Sequence, residues 1–195
     1  MMHIPDTDHS SLINLVSIDP GSTKVGIADF EIDPVSGIIV RSRAHTLDAS
    51  RYVSEDGWLE TNFGMRQARI SFIENYLLNH FNDMRPLFIV SEGSFFNPSR
   101  PNAFEVLVEV IYAIRSAVLK YDSWRSLEII DAPTVKKSVG APGNAKKEEV
   151  QKRVVELTDL HYEQDIKTAG LSEHAIDALA VGYGFYKSRI LPSFK

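Results

Sequence analysis

The sequence predicts a mixed α/β domain built on five strands, and three observations carry the prediction. Three apolar runs near the start are separated only by short turns rich in Pro and Gly. Two later runs are short, continuously apolar and flanked by longer stretches with helical spacing. The last third is helical in pattern, which gives the order β-β-β-α-β-α-β-α-α.

Strands are expected at 12–19, 24–31 and 37–45, with "DPGSTK" forming the first turn and "DPVSG" the second. Such short links imply an antiparallel meander. The polar stretch 47–56 reads as a loop. Over 58–81, Leu59, Phe63, Met65, Ile70, Ile73, Leu77 and Leu78 recur at helical spacing. "RPLFIVSEG" reads as a buried strand ending at Glu92. After the loop "SFFNPSRP", a second helix is expected at 102–121, with Phe104, Leu107, Val108, Ile111, Ile114 and Val118 on its apolar side. "SLEIID" is the fifth strand. "APTVKKSV" is a short helix opening at Pro133, "GAPGNA" a turn, and 146–158 a further helix. The last helix starts from Ser172 as N-cap and carries Ile176, Leu179, Ala180 and Tyr183 on its apolar side. Residues 1–12 read as a flexible leader and 13–190 as a single domain, with no internal repeat or linker.

Composition narrows the function classes. Of 195 residues 44% are hydrophobic, enough for one substantial core. No apolar run is long enough for a transmembrane helix, and the polar start lacks a signal pattern. With no cysteine there is neither a disulfide framework nor a thiolate metal site, so a cytoplasmic location is expected. The net charge of −5 argues mildly against a nucleic-acid binder. Yet Lys136, Lys137, Lys146, Lys147, Lys152 and Arg153 crowd one short stretch, and Arg100 lies in a Pro/Asn/Ser loop. That stretch is a local basic face or, with Glu148 and Glu149 in its midst, an ordinary solvated helix face.

Four polar residues stand out against this frame. Asp19 ends the first strand and Glu92 the fourth, while His174 and Asp177 lie three apart at the start of the last helix and share a face. Taken singly, each is most simply a turn or capping residue. If the first and fourth strands are neighbours, however, their carboxylates meet at one sheet edge. Carboxylates and an imidazole converging there would suit Mg²⁺ or Mn²⁺. Two such ions about 4 Å apart can activate water and stabilise the leaving oxygen of a phosphodiester.

Four segments in this order resemble the RuvC-type Holliday junction resolvases of the RNase H-like nuclease superfamily: "IDPGSTKVGIA", "VSEGSFF", "APTVKKSVGAPGNAKKEEVQKRV" and "EHAIDALAVGYGF". The resemblance spans about 15–186. It implies an RNase H-like mixed five-stranded sheet flanked by helices. It also implies a homodimeric endonuclease that resolves four-way junctions in recombination and repair, with Mg²⁺ or Mn²⁺, two ions per site. By the same resemblance Asp19, Glu92, His174 and Asp177 are the metal-site residues, and Phe95 is the aromatic that stacks on bases. The resemblance also makes Lys136 a residue that approaches DNA; Lys137 and Arg100, from the local basic face, are expected as further DNA contacts. Either Lys146 or Lys147 lies beside the scissile phosphate. The helix at 102–121 supplies the dimer face.

The chain departs from bacterial members in its acidic balance, its longer leader, the longer stretch "HTLDASRYVSEDGW" and the absence of a Gln-Ala-Arg-Gly pattern. These departures point to a divergent branch such as a bacteriophage resolvase, acting in the host cytoplasm. Two other classes compete. One is a catalytically silent branched-DNA-binding protein on the same fold. The other is an actin-like-superfamily ATPase, whose phosphate hairpin also reads apolar-Asp-x-Gly-Ser/Thr but which needs a second such hairpin.

Overall fold

A computed structural model of the chain describes residues 12–93, 101–162 and 170–194. The strands are β1 (Ile13–Asp19), β2 (Lys24–Ile32), β3 (Ile39–Asp48), β4 (Phe88–Glu92) and β5 (Leu127–Ile130). The helices are α1 (Trp58–Met84), α2 (Pro101–Tyr121), α3 (Ala132–Ser138), α4 (Lys147–Val155) and α5 (Glu173–Phe185). The strands form one sheet in the order β3-β2-β1-β4-β5. The first three make the expected antiparallel meander, while β4 joins β1, and β5 joins β4, in parallel. Parallel pairing follows from the crossovers α1 and α2, each long enough to return the chain to the starting edge.

Side-chain alternation sorts the sheet's residues between two cores. Ile13 and Leu15 of β1, Phe30 of β2 and Val90 of β4 pack with α5. Val16 and Ile18 of β1, Ile27 of β2 and Ile89 of β4 pack with α1 and α2. Helix α5 lies between the sheet and the pair α3 and α4, so it is buried along nearly its whole length. Its small residues let it lie close. The Ser17 hydroxyl donates to the Ala178 carbonyl at 2.7 Å, and Gly182 sits against Phe30 and the Ser17 hydroxyl. A Cβ at Gly182 would overlap both. Gly182→Ala is expected to cost about 1–3 kcal/mol in urea unfolding, as overpacking does.

Several boundaries differ from the sequence reading. The expected loop at 47–56 starts later, because Leu47 and Asp48 continue β3 and pair with Val25 and Lys24. Helix α1 is broken at Gly64 (φ 82°, ψ 161°) and runs on to Met84. Its buried residues are Ala68, Ile70, Ile73, Leu77 and Phe81, whereas Phe63 and Met65, ahead of or beside the break, are exposed. In α2, Ile111, Ile114 and Val118 are core, but Val108 faces out. Helix α4 is shorter than 146–158, with Lys146 as its N-cap position and Glu156 closing it. The last helix ends at Phe185 and continues as a π-helical turn, Tyr186–Ile190, and a 3-10 turn, Leu191–Phe194. Of the expected leader, residues 1–11 lie outside the described residues. No helix among the described residues is long and apolar enough to cross a membrane.

Candidate active site

The alternation that sorts the core also places the acids. Asp19 is two residues beyond Ser17 and four beyond Leu15, so it projects to the α5 side of β1. Glu92 is two beyond Val90, so it projects to the same side of β4. Parallel pairing, with Ile18 opposite Ser91, ends both strands at one edge and sets the carboxylates side by side.

Helix α5 starts directly above that edge. Ser172 is its N-cap and accepts from the Ala175 amide at 3.3 Å. The Ser172 hydroxyl is also hydrogen-bonded to Thr46, which ties the helix start to β3. Gly26, the β2 partner of Asp19, leaves room for this first turn. A Cβ there would lie 2.6 Å from the His174 carbonyl carbon and 3.1 Å from the Asp19 Cβ. In the space thus kept, His174 Nδ1 is hydrogen-bonded to Asp19 Oδ2 at 3.0 Å.

Helices α3 and α4 close the other wall. Asp131 caps α3, accepting from the Thr134 amide at 3.1 Å and the Thr134 hydroxyl at 2.6 Å. Lys136 then faces the cleft, and its Nζ donates to the Ala145 carbonyl at 2.8 Å. From α4, Lys147 Nζ lies 2.7 Å from Asp177 Oδ2 and 3.6 Å from Glu173 Oε2. One turn on, Gln151 Nε2 donates to Asp177 Oδ1 at 3.1 Å. The result is a cleft of about 240 Å³ lined by Asp19, Glu92, Lys136, Lys147 and Asp177 over an apolar floor that includes Val135 and Val181.

Charge is strained here. Burial, then the charges of Asp19 and Asp177, push the Glu92 carboxyl up to about 7, against the pull of Lys136 and Lys147. Burial also raises Asp177, with Asp19 adding to it, despite the Lys147 and Gln151 hydrogen bonds. The bond to Asp19 raises His174 by favouring its charged form. Burial opposes the charge on Lys147, but Asp177, Glu173 and Asp19 outweigh it and raise this lysine.

Among the described residues no three His, Asp or Glu groups stand drawn together as a ready ligand cluster. Two oxygens of Asp177 and one of Asp19 are already engaged by Lys147, Gln151 and His174. The donor set nevertheless fits a hard divalent ion. It is made of carboxylate oxygens with an adjacent imidazole, in a cleft where burial first, and then the charges of Asp19 and Asp177, disfavour ionisation of Glu92.

The cleft thus gathers Asp19, Glu92, Asp177, Lys136 and Lys147, with His174 against Asp19. Of the two adjacent lysines it takes Lys147; Lys146 and Lys137 are exposed and outside its wall. Phe95 and Arg100 lie outside the described residues. Sequence reasoning missed Gly26 and Gln151. The i, i+4 spacing from Lys147 could have suggested Gln151, but nothing local marks the close approach at Gly26.

A meander continued by two parallel strands, with a helix laid across one face and acids at the shared edge, is the RNase H-like fold. Solved structures with this fold include Thermus thermophilus RuvC, with a TM-score of 0.64, 20% identity, and 91% of this chain and 96% of that chain covered. The yeast mitochondrial Holliday junction resolvase superposes with a TM-score of 0.63 at 9% identity, over 93% of this chain and 81% of that one. The fowlpox virus Holliday junction resolvase gives 0.57 at 12%, over 90% and 99%. The sequence matches no family model and no curated protein.

Proposed function

We propose that the chain is a structure-selective endodeoxyribonuclease that resolves four-way or other branched DNA by metal-assisted phosphodiester hydrolysis. One observation carries this reading: Asp19, Glu92 and Asp177 share a single cleft, on a fold whose neighbours are Holliday junction resolvases. Two further neighbouring structures, of T. thermophilus RuvC and the fowlpox virus resolvase, are complexes with Holliday junction DNA.

In this reading Asp19, Glu92, His174 and Asp177 hold Mg²⁺ or Mn²⁺, two ions per site. Bound there, the ions would lower the pKa of water and offset charge on the phosphate. Water oxygen adds to phosphorus, the bond to the leaving sugar oxygen breaks, and that oxygen takes up a proton. His174 orients the Asp19 carboxylate through their hydrogen bond. Lys147 and Lys136 provide positive charge where the phosphate's charge grows. Lys137, Lys146 and Arg100 bind the DNA backbone, and Phe95 stacks on bases.

A four-way junction asks for two cuts, and a two-fold dimer supplies two sites. Val108, Tyr112 and Leu119 support α2 as the pairing surface. They are exposed (44%, 74% and 64%) and lie four and seven residues apart on one helix face.

The test is incubation of purified protein with synthetic four-way, three-way and flap DNAs in Mg²⁺, Mn²⁺ or chelator. Paired nicks in opposing strands of the four-way junction, lost in chelator, are the expected result. Binding without nicks in either metal would turn the reading towards a silent junction-binding protein.

A further inference from the structure

Asp177 has both oxygens held from the same helix. Lys147 takes Oδ2 at 2.7 Å and Gln151 takes Oδ1 at 3.1 Å. The two residues are four apart on α4 and so present one face to the cleft. They differ in a way that matters: one is a cation, the other a neutral donor. Lys147 also sits within the field of Glu173, Asp19 and Glu92, and of the two cleft lysines it is the one paired with Asp177, whereas Lys136 Nζ is bonded to the Ala145 carbonyl.

We propose that Lys147 is the resident counter-ion of this cleft, occupying the position on Asp177 that a divalent ion must take, and that Gln151 is the positioning residue that keeps the carboxylate aimed once Lys147 has left. This rests on the reading of the cleft as a metal site. An ammonium and a divalent ion cannot both contact Oδ2 without strong repulsion. Lys147 can leave because its side chain is half-exposed (46%) and its charge is a compact point on a flexible stem. Gln151 carries no charge to conflict with the incoming ion and stays.

The exchange has a consequence for DNA. Before metal binding the lysine is tied down, and afterwards it is a free cation at the cleft, available to a phosphate. By linkage, a phosphate that draws Lys147 away from Asp177 strengthens metal binding by the same factor. Metal and DNA therefore promote one another through one side chain.

The test is calorimetric titration of the full chain with MnCl₂ in the absence of DNA. Lys147→Met is expected to bind Mn²⁺ about tenfold more tightly than the parent, because a competing charge has gone. Lys147→Gln serves as a second variant should circular dichroism show the first unfolded. Gln151→Leu is expected to bind several-fold more weakly, and an unchanged affinity would remove its assigned part. Equal or weaker binding by both Lys147 variants would overturn the counter-ion proposal. Asp177→Asn separates the two levels. If the parent's binding depends on Asp177 while the lysine variants change nothing, only the exchange fails. If no variant binds Mn²⁺ saturably, the metal-site reading fails with it.

Discussion

Asp19→Asn and Glu92→Gln are each expected to lower junction cleavage by at least about a thousandfold while leaving junction affinity in chelator near that of the parent. Each change keeps the side chain's shape and removes from the cleft a carboxylate that the proposed function assigns to the metal. In the proposed function the lysines, not these acids, carry the phosphate contacts, so binding is expected to be spared. Stability gives Glu92 a second readout, one that an ion-paired buried acid would not give. Its carboxyl is pushed up to about 7 in the folded chain, so ionising it penalises folding. The penalty is absent below the unfolded value of 4.5, grows as pH rises towards 7, and is complete above it. In chelator, Glu92→Gln should therefore unfold at a higher temperature than the parent at pH 8 and at the same temperature at pH 4. A variant that cuts at near the parental rate would remove its residue from the metal site. A drop in melting temperature at pH 8 would contradict the charge strain.

Gly26→Ala should damage the same site without touching a ligand. The added Cβ meets the backbone of His174, which cannot rotate away, so the first turn of α5 must lift from β2. That turn carries His174 and, one turn on, Asp177, while β1 carries Asp19. A displacement of about 1 Å between reacting groups can cost on the order of a hundredfold in rate. Cleavage by Gly26→Ala is therefore expected to fall at least about a hundredfold, with about 1–3 kcal/mol lost in urea unfolding. Ile73→Val is the control. It lies in the core on the opposite face of the sheet, should lose about 0.5–1.5 kcal/mol, and should cut normally. Equal loss of activity in both variants would mean that Gly26 acts only through stability.

Most of the architecture was legible in the sequence because its period is local. The runs around Leu15, Ile27 and Val90 alternate or stay apolar as strands do, and Ile70, Ile73 and Leu77 keep a helical beat. The break at Gly64 was not legible, since a lone glycine is tolerated within a helix and Phe63 and Met65 on either side fit the period by chance. Leu47 and Asp48 joined β3 because Val25 and Lys24 needed partners, a requirement that lies 22 to 24 residues upstream. The site shows the same division. Asp19, Glu92, His174 and Asp177 were found by type and position, and the family resemblance joined them. Gly26 and Gln151 were missed because what they do is defined by His174 and Asp177, far along the chain. Between Lys146 and Lys147 the sequence offered no choice. The N-cap position of α4 made it, turning the second of the two into the cleft.

The two-residue alternation of β1 makes its length a quantised variable. From Leu15 to Asp19 the chain takes two full pleats, with Ser17 anchoring the step between them to α5. One residue added there would deliver the carboxylate to the opposite layer, among the apolar side chains of α1 and α2. Two would restore the side but carry the acid past Glu92 and out over the turn. The four-residue interval from Leu15 to Asp19 is therefore set by the pleat itself, so the position of the acid changes in whole steps and not by small adjustment.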